Sequence, residues 1–422
     1  MNRRQFLTVL GAAGAVGSSS LFPSAARANG DGVAKHLIIV FASGGWDTTY
    51  LFDPKPDSPL VDTPSGDWRL FGNSGLWVSD SRPNVSQFLD AYGSVTSVVN
   101  SINVPSVAHA SCTHRMLTGS RDASRPDVAA IIGHELGSDT PMPYLDIGGN
   151  ARPGVLGSDM GYMGDNNQLR GLLLEAEAPT PPRGTDWHRY FATDDEYDRV
   201  EAYVQSRAAR AAGRGDLGEN ARRLESFQSG LRRSHQLRDF ETFFSNVGRG
   251  RTFEDQARVG VEALQAGVSR TLFLSLDGDF DTHTDNAEQN ELFDSVFGSL
   301  LALFDKLATT PGHTAANMLD ETIVLLASEM GRTPLLNGQQ GKDHWPITSC
   351  MVMGAGIRGN QVVGGTDEGL GALNTDLDTG ETVDTGGVVL QPEHIHSALL
   401  ELLGIDPEPW FPGAPALRGL HA

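Results

Sequence analysis

Cysteine is almost absent from this chain, with only Cys112 and Cys350 among 422 residues. Disulfides are therefore excluded as the basis of stability. Long apolar runs are missing as well. Beyond the amino-terminal leader no segment reaches the uninterrupted apolar length of a membrane helix, so the mature chain is expected to be soluble. Positive charge is scarce: 32 Lys and Arg face 53 Asp and Glu, a formal net charge of −21. So acidic a surface argues against nucleic acid and anionic membrane as partners, while it favours solubility and attracts cations. At this length the chain can bury one large core or two modest ones.

What is present begins at the amino terminus. Arg3-Arg4 precede Gln5-Phe6-Leu7, then a mildly apolar run rich in Ala and Gly, then Ala26-Arg27-Ala28. Residues 1–28 resemble a twin-arginine export signal with cleavage expected after Ala28. That implies a passing partnership with the twin-arginine translocase and a periplasmic or extracellular location. The apolar run is too short and too broken by Gly and Ser to stay in a bilayer, so no stable membrane insertion is expected after cleavage. An ordinary secretory leader with a chance arginine pair is the alternative, and it too implies export. Cleavage removes Arg3, Arg4 and Arg27 and no acid, which moves the formal charge from −21 to −24. A route that carries folded proteins suits a chain that loads its cofactor first, and this directs attention to metal ligands.

The remainder, residues 29–422, alternates strands with helices. Continuous apolar runs predict strands at His36–Phe41, Val95–Val99, Pro143–Ile147, Arg270–Leu276 and Glu321–Ser328. Helical spacing marks Asp127–Leu136, Phe253–Gly267, Leu292–Leu307 and Ile395–Leu403, and a turn runs into a helix over Ala108–Gly119. From about 194 to 250 the composition turns charged and Ala/Arg-rich, with Val200, Tyr203 and Val204, then Leu224, Phe227 and Leu231, at helical spacing. This reads as a helical insertion. Val362–Val389 reads as a hairpin excursion with its turn at Asp378-Thr379-Gly380. The alternation predicts one α/β domain on a mostly parallel sheet.

Three predicted strands lead into acids: Asp47, Asp281 and Glu329. Strand ends converge on one edge of a parallel sheet, so acids distant in sequence can meet there. Asp281 stands two residues from His283, and in extended chain such residues point the same way and can grip one ion. After Glu329 comes Arg332, then a Gly-rich loop, then Lys342-Asp343-His344, which can return His344 over the same edge. Mixed Asp, Glu and His ligands suit zinc or manganese, with calcium or magnesium as alternatives. Taken singly, each acid also suits a helix cap or a turn. His109 and His114 flank Ser111, Cys112 and Thr113 where a helix is expected to begin, and could stand behind the ligands. Free N–H groups at a helix start stabilise an anionic nucleophile and bind phosphate or sulfate oxygens. An uncomplicated N-cap Ser or Thr is the alternative there. His394 and His396 read as capping residues of the last helix.

The segments GGWDTTYLFDPKP (44–56), HASCTHRMLTG (109–119), GDFDTHTDN (278–286), SEMGRTPLLNGQQGKDHWP (328–346) and LLELLGIDP (399–407) carry a resemblance. In this order they resemble the exported family known as domain of unknown function 1501, which is similar to the alkaline phosphatase and sulfatase superfamily. The resemblance implies an alkaline-phosphatase-like three-layer α/β/α fold with a metal site at the carboxyl edge of its sheet. By motif, Asp47 and Glu329 would serve one metal, Asp281, His283 and His344 another, and Ser111 or a neighbour would be the nucleophile. Sulfatases that oxidise a cysteine read C-x-P-x-R before their LTG, whereas Cys112 is followed by Thr-His-Arg, which speaks against formylglycine. The nucleophile stays open among His109, Ser111, Cys112 and Thr113. The implied activity is metal-dependent hydrolysis of an anionic phosphate or sulfate ester, with Arg332 or Arg115 clamping the substrate. The alternative is a non-catalytic exported protein that uses the fold for metal binding or envelope assembly.

Export is expected to depend on the guanidinium pair itself. The double variant Arg3→Lys/Arg4→Lys keeps the charge and should retain precursor inside the cell; normal amounts of processed protein outside would refute the twin-arginine reading.

Overall fold

The computed structural model of the protein describes residues 34–64, 66, 68–72, 74–163, 193–212, 219–238 and 252–422. The expected leader lies outside them. His36–Phe41 (β1) is buried at all six positions, as a strand covered on both faces must be. Thr96–Asn103 (β2), Tyr144–Asp146 (β3), Met160–Tyr162 (β4), Thr271–Ser275 (β5), Thr322–Ala327 (β6), Ile347–Gly354 (β7) and Gln361–Val363 (β8) complete its sheet. The strand order is β8-β2-β7-β6-β1-β5-β3-β4. Pairing is parallel between β1 and both β5 and β6, between β3 and both β5 and β4, and between β8 and β2. Only β7 runs the other way, antiparallel to β2 and β6. The sheet is therefore mostly parallel, as the strand–helix alternation predicted.

Helices cover both faces. They span Pro83–Tyr92 (α1), His109–Thr118 (α2), Val128–Leu136 (α3), Asp194–Ala212 (α4), Glu219–Arg238 (α5), Phe253–Gln265 (α6), Gln289–Thr309 (α7) and Pro392–Leu402 (α8). The period-two alternation of β1 sorts its side chains into two cores. Ile38 and Val40 join Phe88 of α1, Leu264 of α6 and Phe297 and Phe304 of α7. Leu37, Ile39 and Phe41 join Leu117 of α2, Ile131 and Ile132 of α3 and Leu399 of α8. Local chemistry sets the helix ends. Asp127 caps α3 by accepting from the Ala130 N–H at 2.7 Å, and Thr252 caps α6 by accepting from Asp255 N–H at 3.2 Å. Gly119, with φ at 65°, ends α2 in the left-handed conformation.

Several boundaries differ from those the sequence suggested. The second strand runs on to Asn103 rather than stopping at Val99. Strand β7 was not anticipated; its early residues Thr348 and Ser349 are polar, yet both are buried. The last helix starts at Pro392, three residues earlier than its apolar spacing indicated. Proline fits the first helical position, and Gln391 and His394 form a reciprocal capping box. In the 362–389 excursion, Asn374–Thr375 pairs with Val388–Val389, and Asp376 accepts from the N–H groups of Asp378 and Thr379 at the turn. Helices α4 and α5 occupy the described part of the 194–250 stretch. Arg233 of α5 donates to the Ser158 carbonyl at 3.0 Å and pairs with Asp159, which also engages His134 at 2.6 Å.

Two histidines lie deep in this scaffold. Burial pushes His36 down to about 3, helped by the Arg270 charge, and burial alone does the same to His396. A histidine whose folded pKa is lowered stays neutral in the native protein while the unfolded chain takes up a proton near pH 6.5. Its contribution to stability is complete above pH 6.5 and is lost as pH falls toward 3. The unfolding free energy should therefore drop through this window, and His396→Leu should flatten the slope by at most about 1.4 kcal/mol per pH unit. Urea titrations at successive pH values check this; an unchanged slope in the variant would exclude His396 as a contributor.

Candidate metal centre

Topology explains why the site residues meet. The chain leaves β1 into Gly44 and Gly45, β2 into His109, β5 into Asp281 and β6 into Glu329, all at the carboxyl edge of parallel strands. Because β7 is antiparallel, its amino end reaches the same edge and carries His344, which pairs with Arg332 in a short antiparallel ribbon. Two glycines allow the loops to close. A Cβ on Gly44, where φ is 107°, would lie 2.1 Å from an Asp279 carboxylate oxygen and 2.5 Å from the backbone nitrogens of Phe280 and Asp281. A Cβ on Gly341 would lie 2.0 Å from the His283 carbonyl.

Asp281 is the hub. Its Oδ1 lies 3.2 Å from Nε2 of His283 and of His344, and its Oδ2 lies 3.4 Å from Nε2 of His109. One ligand atom from each of His109, Asp281 and His344 lies within 4.8 Å of the others. In every case the second ring nitrogen has an oxygen acceptor. Nδ1 of His109 reaches Glu329 Oε1 at 2.9 Å, that of His283 reaches Asp343 Oδ1 at 2.9 Å, and that of His344 reaches the Val107 carbonyl at 2.7 Å. These acceptors fix the protons on Nδ1, leaving the Nε2 lone pairs turned toward one carboxylate. The Nε2 atoms of His283 and His344 stand only 3.0 Å apart. Two lone pairs facing each other beside a carboxylate require a cation among them, either a proton or a metal ion. The donor set fits a divalent ion, and the Nδ1 contacts match the supporting hydrogen bonds that orient histidine ligands.

Arg332 holds this hub from below. Fully buried, it donates through Nε to the Gly45 carbonyl at 2.7 Å and through Nη1 to that of Lys342 at 3.1 Å. Its Nη2 meets the carbonyls of Gly44 and of Phe280 (3.0 Å) and Asp281 Oδ1 at 2.6 Å. Burial alone raises the Asp281 carboxyl, but the hydrogen bond and charge of Arg332, with His344 and His109 alongside, carry it down to about 2. Asp281 stays ionised at any working pH, with 34 % of its side chain exposed.

Asp281, His283 and His344 come together as predicted, and alternation holds, since Thr282 between the first two is buried. His109, expected behind the candidate ligands, stands beside Asp281 and His344. Glu329 lies beneath, accepting from Gly44 N–H and from His109 through Oε1 and from Ser328 through Oε2. Asp47 is placed in a separate buried pair with Lys342 and caps a short turn through the Thr49 N–H, so the capping alternative describes it. Arg332, expected as a substrate clamp, has no exposed side chain and serves the scaffold instead. Arg115 lies half-buried on α2 near Glu393 and Arg121. Ser111 is exposed at the third position of α2, and at about 100° per residue it points roughly 200° away from His109. Cys112 and Thr113 are buried, and burial raises the Cys112 thiol. His114 bonds the Asp122 carbonyl at 2.9 Å. The sequence pattern gave Lys342 no role of its own beside Asp343 and His344.

The family model described as protein of unknown function (DUF1501) matches residues 34–417. The chain belongs to the DUF1501 family. No curated protein matches it. Among solved structures, "Crystal structure of Ps i-CgsB" overlaps 91 % of the DUF1501 chain and 77 % of its own, at 10 % identity and a TM-score of 0.38. The same protein in complex with k-i-k-neocarrahexaose overlaps 89 % and 74 %, at the same identity and TM-score. At that score neither overlap bears on the chemistry of the DUF1501 chain.

Removing the Arg332 fork should cost stability even when its charge is kept. Arg332→Lys cannot reach four carbonyls and a carboxylate at once, so a loss of about 3 kcal/mol or more is expected. Urea unfolding measures it, and a change within about 0.5 kcal/mol, the usual range for a surface substitution, would contradict the scaffold role.

Proposed function

We propose that this DUF1501 protein is an exported metal-dependent hydrolase of phosphate or sulfate esters with an alkaline-phosphatase-like fold. The observation that carries the reading is the convergence of three Nδ1-anchored imidazoles on the ionised Asp281. Asp281, His109 and His344 would hold the ion, with His283 adjoining. A divalent ion bound there supplies Lewis acidity and activates water. The chain's own contribution is orientation. Glu329, Asp343 and the Val107 carbonyl fix the imidazoles, and Arg332 keeps Asp281 anionic. Helix α2 starts at His109 with alanine at its cap, so its first N–H groups lack a side-chain acceptor from that position and offer positive potential to an ester's anionic oxygens. The motif resemblance supports the ester class, and the Arg3-Arg4 leader supports export.

One observation favours a non-catalytic metal-binding reading. Ser111 stands exposed at a helix position turned away from His109, and Cys112 and Thr113 are buried. Turnover separates the two readings.

Protein loaded with zinc or manganese should carry tightly bound ion. His344→Ala should lose that ion and melt at lower temperature, because ion binding adds to native stability. A panel of aryl phosphates, phosphodiesters and aryl sulfates, assayed with added zinc, manganese and calcium, should show turnover that Asp281→Asn abolishes. Metal-free wild-type protein after loading would overturn the metal centre; bound metal without turnover on any ester would favour the binding reading.

A further inference from the structure

We propose that the buried Lys342 ammonium, paired with Asp47, stands in the place of a second cation, so that the protein takes one divalent ion at Asp281 and none at Asp47 and Glu329. The proposal rests on the metal-centre reading above and narrows it. The motif resemblance implies a second ion held by Asp47 and Glu329, but the surroundings of these two carboxylates do not fit one.

Asp47 and Lys342 are both fully buried. Asp47 Oδ2 accepts from the Lys342 ammonium at 2.8 Å and from the Asn286 amide at 2.8 Å. Its Oδ1 accepts from the Thr49 N–H at 3.0 Å and the Thr49 hydroxyl at 2.7 Å. Four donors occupy the two oxygens. The ammonium makes a further bond to Thr49 Oγ1 at 3.3 Å, so it is held at two points. Glu329 is engaged in the same way, with donors from Gly44, His109 and Ser328 on its two oxygens. A divalent ion would have to displace these N–H and O–H groups and sit beside a buried ammonium. That approach of like charges, out of water, is strongly unfavourable.

The placement of Lys342 also ties the fixed charge to the ion-binding residues. Its backbone N–H donates to the Thr282 carbonyl at 3.1 Å, between Asp281 and His283, and its own carbonyl receives Arg332 Nη1. Two residues on is His344. One short segment therefore delivers both an imidazole for the bound ion and the ammonium that neutralises Asp47. The ion is exchangeable, whereas the ammonium is part of the chain.

The test is metal stoichiometry of the mature protein, loaded with zinc or manganese, freed of excess ion and measured by mass spectrometry. Wild type should carry one ion per chain, Asp47→Asn should still carry one, and Asp281→Asn should carry none. Lys342→Met strips the counter-charge from Asp47 and should raise the content to two. Should that variant fail to fold, Asp47→Asn/Lys342→Met removes both charges and should fold with one ion. Two ions in wild type, falling to one in Asp47→Asn, would overturn the proposal while leaving the metal centre standing. No ion in wild type would defeat the metal centre and the proposal together.

Discussion

Arg332 reaches the carbonyls of Gly44, Gly45, Phe280 and Lys342 and the Asp281 carboxylate, and these groups belong to the loops beyond β1 and β5 and the segment before β7. A buried guanidinium left without acceptors is costly, and so is a buried carbonyl without a donor. Neither side can be satisfied until the loops are together. The arginine thus couples the sheet edge to the site, and Asp281 is placed by the same atoms that keep it ionised. Because Asp281 is held from below by a charge that cannot leave, its outward face is free to gather imidazoles. The three histidines then complete an arrangement whose lone pairs call for a cation.

Parts of this were legible in the sequence for definite physical reasons. A strand buried on both faces is apolar along most of its length, so β1 and β6 announced themselves, and the acids beyond them marked the candidate edge. Asp281 and His283 could be paired because residues two apart in extended chain share a side. His344 was within reach because a glycine-rich loop separates it from Glu329 by a short return. The structure places Glu329 against Nδ1 of His109, a contact that the sequence pattern could not distinguish from one at Nε2.

Other parts depend on contacts that local sequence does not encode. The partner of Asp47 is the ammonium of Lys342, far along the chain in sequence, and nothing near Asp47 foretells it. Whether His109 or Ser111 faces the edge depends on where α2 begins, and a shift of one residue turns every side chain by about 100°. Strand β7 carries the polar residues Thr348 and Ser349 near its start. Those residues are buried for a reason found elsewhere: Ser349 bonds Asn100, and Trp46 donates to Thr348. The direction of β7 is set by its pairing with β2 and β6, which is a property of the whole sheet.

That reversed strand has one more consequence. Since β6 and β7 are adjacent and antiparallel, residues 328–346 leave and re-enter the sheet at one edge, between neighbouring strands, with no helical crossover. Glu329, Arg332, Lys342, Asp343 and His344 all lie on this one excursion. Elsewhere a change of site chemistry would have to be coordinated among connections that also build the covering helices. Here it can be confined to a single interchangeable cassette, so that grafting residues 328–346 between relatives would transplant five polar residues of the centre while disturbing the hydrophobic cores at Met330 alone.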